Sequence, residues 1–126
     1  MRGLLDTSVV IADGVANLPD EAAISVATLA ELHFGVYVAK NAAARKVRIR
    51  RLTEVENRFD ALPVDEAVAR AYGSLAHTLV SMKRSPRARV MDVLIAATAQ
   101  VHEVSLFTRN ADDFKPFKDV IDVRVI

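Results

Sequence analysis

Three acidic side chains stand alone in otherwise apolar stretches of the sequence. Asp6 ends a short apolar run and precedes two hydroxyl residues, Glu31 lies within ATLAELHFG, and Asp92 lies within RVMDVLIAATA. An ionised carboxylate in an apolar setting is costly unless a cation, a group of hydrogen-bond donors or a raised pKa compensates for it. These three residues are therefore the first candidates for chemistry.

The remaining composition limits what that chemistry can be. The chain has no cysteine, which excludes disulfides, thiolate zinc sites and cysteine nucleophiles. Its three histidines are not spaced as paired ligands on a helix. If the acids converge, their charges repel, and a divalent ion with oxygen ligands, Mg²⁺ or Mn²⁺, would relieve that repulsion. The hydroxyls that could lie beside such an ion belong to Thr7, Ser8 and Thr108.

Each acid taken alone also has a purely structural interpretation. Asp6 could cap the helix that follows it, and Asp92 could favour the positive end of its own helix. Glu31 could pair with an arginine. These alternatives stay open for each residue, and it is the set of three that favours a shared metal site.

The hydrophobic pattern predicts the elements that must position these acids. Short apolar runs predict strands at residues 3–6, 22–26, 62–64, 104–108 and 120–125. Helical periodicity predicts helices at residues 27–39, 42–59, 66–82 and 91–102, with a loop at 83–89 and a turn or short helix at 112–117. This alternation predicts an α/β fold whose mainly parallel sheet is covered on both faces. Sites in such sheets form at the carboxyl ends of strands, where Asp6 and Thr108 fall.

Helical spacing also predicts which way the acids and their neighbours point. Glu31 shares a face with Phe34 and Val38, and Asp92 shares one with Ile95. Both acids are therefore expected on the packed side of their helices.

Length and charge describe one globular unit. At 126 residues, the chain suits a single domain over residues 1–126. Its 17 basic and 16 acidic residues nearly cancel, which argues against a disordered or polybasic tail protein. The apolar start is too short for a signal peptide, and no run approaches the ~20 apolar residues of a membrane span. We therefore expect a cytoplasmic protein that does not associate with a membrane.

Basic residues concentrate in residues 40–58 and 83–89. Helix 42–59 is predicted to be amphipathic, with Val47 and Val55 turned inward and arginines filling the outer face. Such arginines could contact RNA phosphates, meet a protein partner, or only be solvated. The candidate RNA-binding residues are Arg48, Arg51, Arg87 and, beside the predicted cleft, Arg109.

Four segments resemble a known family in order and spacing across nearly the whole chain. LLDTSVVI, ATLAELHFG, MDVLIAATA and FTRNADDF resemble the PIN-domain ribonucleases of the VapC toxin type. The resemblance implies an α/β/α sandwich, an acidic Mg²⁺ or Mn²⁺ site and endonucleolytic cleavage of RNA. It also implies a homodimer and a cognate VapB-like antitoxin that inhibits the toxin.

The resemblance also assigns residues by position. Asp6, Glu31 and Asp92 match the three core acids of the family, and Asp113 best fits the fourth. Asn110 occupies a place where relatives carry Asn or Asp, so it would support the metal through its amide oxygen or through water. A metal held by these acids would lower the pKa of a bound water that attacks the phosphate in line.

Other functions fit the sequence less well. Ser8 stands where a haloacid-dehalogenase-like phosphatase needs a second aspartate, and the four glycines form no phosphate-binding loop. The remaining alternative is a non-catalytic module with the same fold that binds RNA or a protein through the basic helix. A pure binder has no reason to keep three uncompensated acids in an apolar cleft, so the sequence favours a metal-dependent endoribonuclease.

Overall fold

The computed structural model describes residues 2–13, 15 and 17–126, and its centre is a five-stranded sheet. The strands are β1 (Arg2–Leu5), β2 (Glu21–Ser25), β3 (Asp60–Leu62), β4 (Ser105–Thr108) and β5 (Val123–Val125). Their order is β3-β2-β1-β4-β5, and every neighbouring pair is parallel. The predicted parallel sheet is confirmed, and β1 and β4 lie side by side at its centre.

Helices cover both faces of this sheet. They are α1 (Thr7–Val10), α2 (Val26–Tyr37), α3 (Ala42–Arg58), α4 (Glu66–Ser81), α5 (Val90–His102) and α6 (Ala111–Phe114), with 3₁₀ turns at Pro86–Arg89 and Lys115–Phe117. Because side chains alternate along a strand, Leu4 packs in the cluster of α4 and α5, and Leu5 packs in the opposite cluster with Val55 of α3. The result is a three-layer α/β/α sandwich.

Polar caps fix where α2, α3 and α4 begin. Asp65 Oδ1 accepts the Val68 amide at 3.0 Å, as the sequence predicts, and Asn41 Oδ1 accepts the Ala44 amide at 2.8 Å. Ser25 Oγ accepts the Ala27 amide at 3.0 Å, so β2 passes directly into α2. These bonds satisfy backbone donors that a helix leaves free at its start. Within the described residues, no helix combines the length and the apolarity that a bilayer crossing needs.

Several sequence expectations were wrong in detail. Strand β3 ends at Leu62, whereas the prediction centred it on Pro63, which has no amide hydrogen to donate to a neighbouring strand. Val47 is 55% exposed, because α3 buries only the second half of its apolar face. Phe34 and Val38 are exposed too. Glu31 itself is partly buried, and α2 becomes more exposed toward its C-terminal end.

Gly3 provides a test of the packing around β1. A Cβ at Gly3 would lie 2.5 Å from Cε1 of Phe107 and 2.8 Å from Cγ of Pro19. Because both neighbours are ring atoms in a packed region, we expect Gly3→Ala to lower the free energy of unfolding by about 1–3 kcal/mol. Urea denaturation would measure this change.

The matched control is the same substitution in helix α4. A Cβ at Gly73 would meet no atom within 4 Å. Alanine there removes the entropic cost of glycine in a helix, so Gly73→Ala is expected to raise the free energy of unfolding by about 0.5–1 kcal/mol. Equal effects of the two substitutions would contradict the packing described for Gly3.

Candidate active site

Asp6 lies where β1 ends and α1 begins. Its side chain accepts the amide of Val9 at 3.3 Å and thereby caps α1, while its residue is only 4% exposed. Its Oδ1 also accepts the hydroxyl of Ser8, and its Oδ2 accepts the hydroxyl of Thr108 at 2.7 Å. The capping role and the site role are therefore compatible, because these donors compensate the buried charge and hold it at the edge of the sheet.

Thr108 joins the two central strands at this edge. Its hydroxyl donates to Asp6 and accepts the backbone amide of Asn110 at 2.9 Å. Ser8 Oγ accepts the backbone amide of Arg109 at 3.0 Å, which ties α1 to the turn after β4. The structure thus brings together the hydroxyl residues that the sequence singled out. Asn110 enters this network through its backbone, and the role of its side chain stays a prediction.

Glu31 approaches the same edge from α2. Its Oε1 accepts the hydroxyl of Thr7 at 2.6 Å, and that hydroxyl is 3.1 Å from Oγ1 of buried Thr28. Glu31 is therefore held by a residue adjacent to Asp6. The hydrogen-bond partner of Glu31 is thus the hydroxyl of Thr7. The structural alternative considered for Glu31 was a pairing with an arginine.

Asp92 lies in the first turn of α5 with its side chain 33% exposed. Burial is the largest cause of a raised pKa, which moves from 3.8 to about 6. The negative charges of Asp113, Glu31 and Asp6 raise the pKa of Asp92 further. The positive charge of Arg89 acts in the opposite direction. The other three predicted acids are therefore close enough to Asp92 to act on it electrostatically.

Arg89 is the residue of this site that the sequence analysis missed. It ends the 3₁₀ turn before α5, and its Nη2 lies 3.3 Å from Oδ1 of Asp113 and 3.7 Å from Oδ2 of Asp92. The signal was present in the sequence, because Arg89 and Asp92 are three residues apart, the spacing of neighbours on a helix. Arg89 was instead grouped with the basic loop.

Comparison with known proteins identifies the family of this chain. A family model described as the PIN domain matches residues 4–120. The chain belongs to the PIN-domain family. Ribonuclease VapC5 of Mycobacterium tuberculosis is 36% identical over 130 residues, which cover 98% of this chain and 93% of that protein. Within the family the chain is therefore of the VapC type.

Solved structures agree with this placement. The crystal structure of VapBC-5 from Mycobacterium tuberculosis, a member of the VapBC family of toxin-antitoxin systems, superposes with a TM-score of 0.84 at 36% identity, covering 99% of this chain and 97% of that one. VapBC-1 from nontypeable Haemophilus influenzae superposes with a TM-score of 0.76 at 26% identity, covering 99% and 98%. The PIN-like sandwich inferred from the resemblance is confirmed.

The PIN-domain acids fit a divalent ion by their chemistry and their mutual influence. All four offer oxygen ligands, as Mg²⁺ and Mn²⁺ prefer. In residues 2–13, 15 and 17–126, however, no three His, Asp or Glu side chains lie close enough to hold one ion together. Mg²⁺ commonly keeps several waters and binds only one or two carboxylates directly. The described arrangement thus suits an ion that some of the acids reach through water.

The predicted RNA-binding arginines of the PIN domain lie in two kinds of environment. Arg48 donates to the carbonyl of Gly35 at 2.6 Å, and Arg51 lies 3.7 Å from the carboxylate of Asp13. These two cations on α3 are used in contacts within the chain. Arg87 is exposed in the 3₁₀ turn, and Arg109 is exposed directly after β4.

Thr108 allows a test of the hydroxyl network in this PIN domain. Thr108→Val keeps the shape but leaves Asp6 Oδ2 without its donor and the Asn110 amide without its acceptor. Because Thr108 is fully buried, we expect the free energy of unfolding to fall by about 1–3 kcal/mol. Thr53→Val is the control, since that exposed hydroxyl bonds only to a helix carbonyl. Similar losses for both in urea denaturation would contradict the network.

Proposed function

We propose that this chain, as one PIN-like domain over residues 1–126, is a Mg²⁺- or Mn²⁺-dependent endoribonuclease. It hydrolyses RNA phosphodiester bonds in the cytoplasm as the toxin of a toxin–antitoxin pair. The observation that carries this proposal is the arrangement of acids at the carboxyl edge of the sheet. Glu31 is bonded to Thr7 beside Asp6, Arg89 lies beside both Asp92 and Asp113, and the charges of Asp113, Glu31 and Asp6 raise the pKa of Asp92. The ribonuclease activity named for the VapC5 relative agrees with it.

In this proposal the acids bind the ion, and the neighbouring hydroxyls position one of these acids. Asp6 and Asp92 would hold the ion, directly or through water, with help from Glu31 and Asp113. When bound, such an ion lowers the pKa of a water and polarises the scissile phosphate. Thr108 and Ser8 fix the Asp6 carboxylate by hydrogen bonds. Because these donors are already in place, Asp6 need not reorganise during the reaction.

An acidic edge alone would repel RNA, so cations must hold the phosphates beside it. Arg109 is the strongest candidate, since its backbone amide is bonded to Ser8 next to Asp6 and its side chain is exposed. Arg87 lies in the exposed turn that leads to Asp92. Arg48 and Arg51 are weaker candidates, because each already has a contact within the chain. Phosphate contacts of this kind give affinity that falls with salt.

We propose a VapB-like antitoxin as the protein partner and a homodimer as the assembly. The VapBC-5 structure is described as a member of a toxin-antitoxin family. In this chain, α2 and α3 expose Phe34, Tyr37 and Val47 by 66%, 80% and 55%. Large apolar side chains exposed on two helices that pack together favour a protein contact. Co-expression with the neighbouring gene product would test the pairing, and light scattering of the purified chain would test the homodimer.

An RNA cleavage assay tests the enzymatic proposal. A pool of structured and single-stranded RNAs is incubated with purified protein in Mg²⁺, in Mn²⁺ and in chelator, and the RNA ends are sequenced. We expect endonucleolytic cuts in the RNA that appear with Mg²⁺ or Mn²⁺ and are absent in chelator. Cleavage that persists without metal would overturn the mechanism. Salt-dependent RNA binding without any cleavage would instead identify a non-catalytic binding module.

A further inference from the structure

Arg89 is packed between two of the candidate metal ligands. One of its nitrogens, Nη2, lies 3.3 Å from a carboxylate oxygen of Asp113 and 3.7 Å from one of Asp92. The same nitrogen donates to the backbone carbonyl of Asp113 at 2.6 Å. The Arg89 side chain is only 21% exposed. The Arg89 guanidinium thus lies beside two carboxylates on different elements, Asp92 in α5 and Asp113 in α6.

The guanidinium is not fully satisfied in this place. Its Nε is buried and has no hydrogen-bond partner among the described residues. A buried donor without a partner costs free energy. Something must outweigh that cost, and the charges of Asp92 and Asp113 are the evident compensation. We therefore expect Arg89 to keep this position only while the carboxylates of Asp92 and Asp113 are available to pair with it.

We propose that Arg89 is a built-in counter-ion that competes with the divalent metal for Asp92 and Asp113. Without metal, its charge offsets the repulsion among the acids. For metal to bind, Arg89 must release at least one of these carboxylates, so it lowers the affinity of the site for the ion. This inference rests on the proposed function, because it takes the acids to be the metal ligands.

The alternative role for Arg89 is a structural one. In that role it would join the start of α5 to α6 through the Asp113 carbonyl and would not compete with the metal. Its removal would then disturb the positions of the acids. The two roles predict opposite results when the charge is removed. A competitor raises metal affinity when it is lost, and a support lowers it.

Arg89→Met separates these roles, since methionine keeps an apolar stem and removes the charge. In calorimetric titrations with Mn²⁺, we expect the variant to bind about tenfold more tightly than the wild type, a typical size for coupling between sites. The metal-free variant should unfold at lower temperature, because the acids have lost their counter-ion. Arg124→Met is the control, as Arg124 lies in β5 and pairs with Asp122, which is not one of the candidate ligands.

Equal or weaker Mn²⁺ binding by Arg89→Met would overturn the inference while leaving the proposed function in place. Absence of Mn²⁺ binding by the wild type and the variant alike would overturn the metal-dependent function, and the inference with it. RNA cleavage by the wild type in Mn²⁺ but not in chelator, measured alongside, distinguishes these two failures.

A measurement on the wild type covers the case in which Arg89→Met does not fold. The side-chain Nε–H signals of ¹⁵N-labelled arginine are followed during titration with Mg²⁺. We expect the Arg89 signal to shift and to exchange faster with water as its carboxylate contacts are released. The Arg124 signal should not change, because its Nε stays bonded to Asp122. An Arg89 signal that does not move while Mg²⁺ binds would contradict the competition.

Discussion

Replacement of Asp6 by asparagine is expected to reduce RNA cleavage by about 10²- to 10³-fold while the protein stays folded. Asparagine has the same shape, and its carbonyl oxygen can still accept the Ser8 hydroxyl and the Val9 amide. Its amide group would then face Thr108, whose hydroxyl can accept as well as donate. The fold loses little, whereas the site loses one charge from the set that would bind the ion.

Single-turnover cleavage of one labelled RNA in Mn²⁺ would measure the Asp6→Asn effect, with circular dichroism to verify the fold. Asp119→Asn is the matched control, because that residue is exposed and takes no part in the site contacts described above. The control should cleave at the wild-type rate. Wild-type cleavage by Asp6→Asn would show that the Asp6 charge is not needed, and a different group would then have to hold the ion.

The position of Asp6 shows how much of the site the sequence predicts. Parallel strands bring their carboxyl ends to one edge, so the strand pattern alone places Asp6 and Thr108 at the same edge. Their direct hydrogen bond depends on β4 lying next to β1. That adjacency comes from crossovers between distant segments, and local periodicity contains no information about it.

The errors at Val47 and Phe34 have a common physical origin. Helical spacing predicts which residues share a face, but it does not predict how much of that face other elements cover. Val47 and Phe34 lie on apolar faces whose outer ends extend past the core, so both are exposed. Arg89 was missed for a related reason. Its pairing with Asp113 joins two elements that only the folded chain brings together.

The site also places a cost on the fold. The negative charges of Asp113, Glu31 and Asp6 all act on Asp92. Within the described residues, Arg89 is the only cation that pairs with Asp92 and Asp113. Repulsion among like charges destabilises the folded state unless protonation or a cation relieves it. Activity and stability should therefore respond in opposite directions to the removal of one acid.

Asp92→Asn should show this opposition, because it removes the acid whose pKa is raised to about 6. In the folded wild type Asp92 binds its proton more tightly than in the unfolded chain, where the ordinary pKa is 3.8. As pH rises from about 4 to about 6, Asp92 stays protonated in more of the folded protein than of the unfolded chain. The free energy of unfolding therefore falls over this interval. The variant carries no such proton and should lack this fall.

The gain in stability can be measured in chelator at about pH 7.5, above both pKa values. We expect Asp92→Asn to raise the free energy of unfolding by about 1 kcal/mol, since the one-third exposure of the side chain weakens the full effect of the shift. RNA cleavage by the variant should be lost. Asp112→Asn, on the exposed side of α6, should change neither quantity.

The pH dependence separates this account from a structural role for Asp92. If the ion pair with Arg89 were the main contribution of Asp92, the variant would be less stable than the wild type at about pH 7.5, and the difference would grow as Asp92 ionised with rising pH. If repulsion dominates, the wild type loses stability relative to the variant as pH rises from about 4 to about 6. Urea denaturation of both proteins distinguishes the two accounts, because a dominant ion pair would instead make the wild type gain stability relative to the variant, and would do so below a pH of about 4.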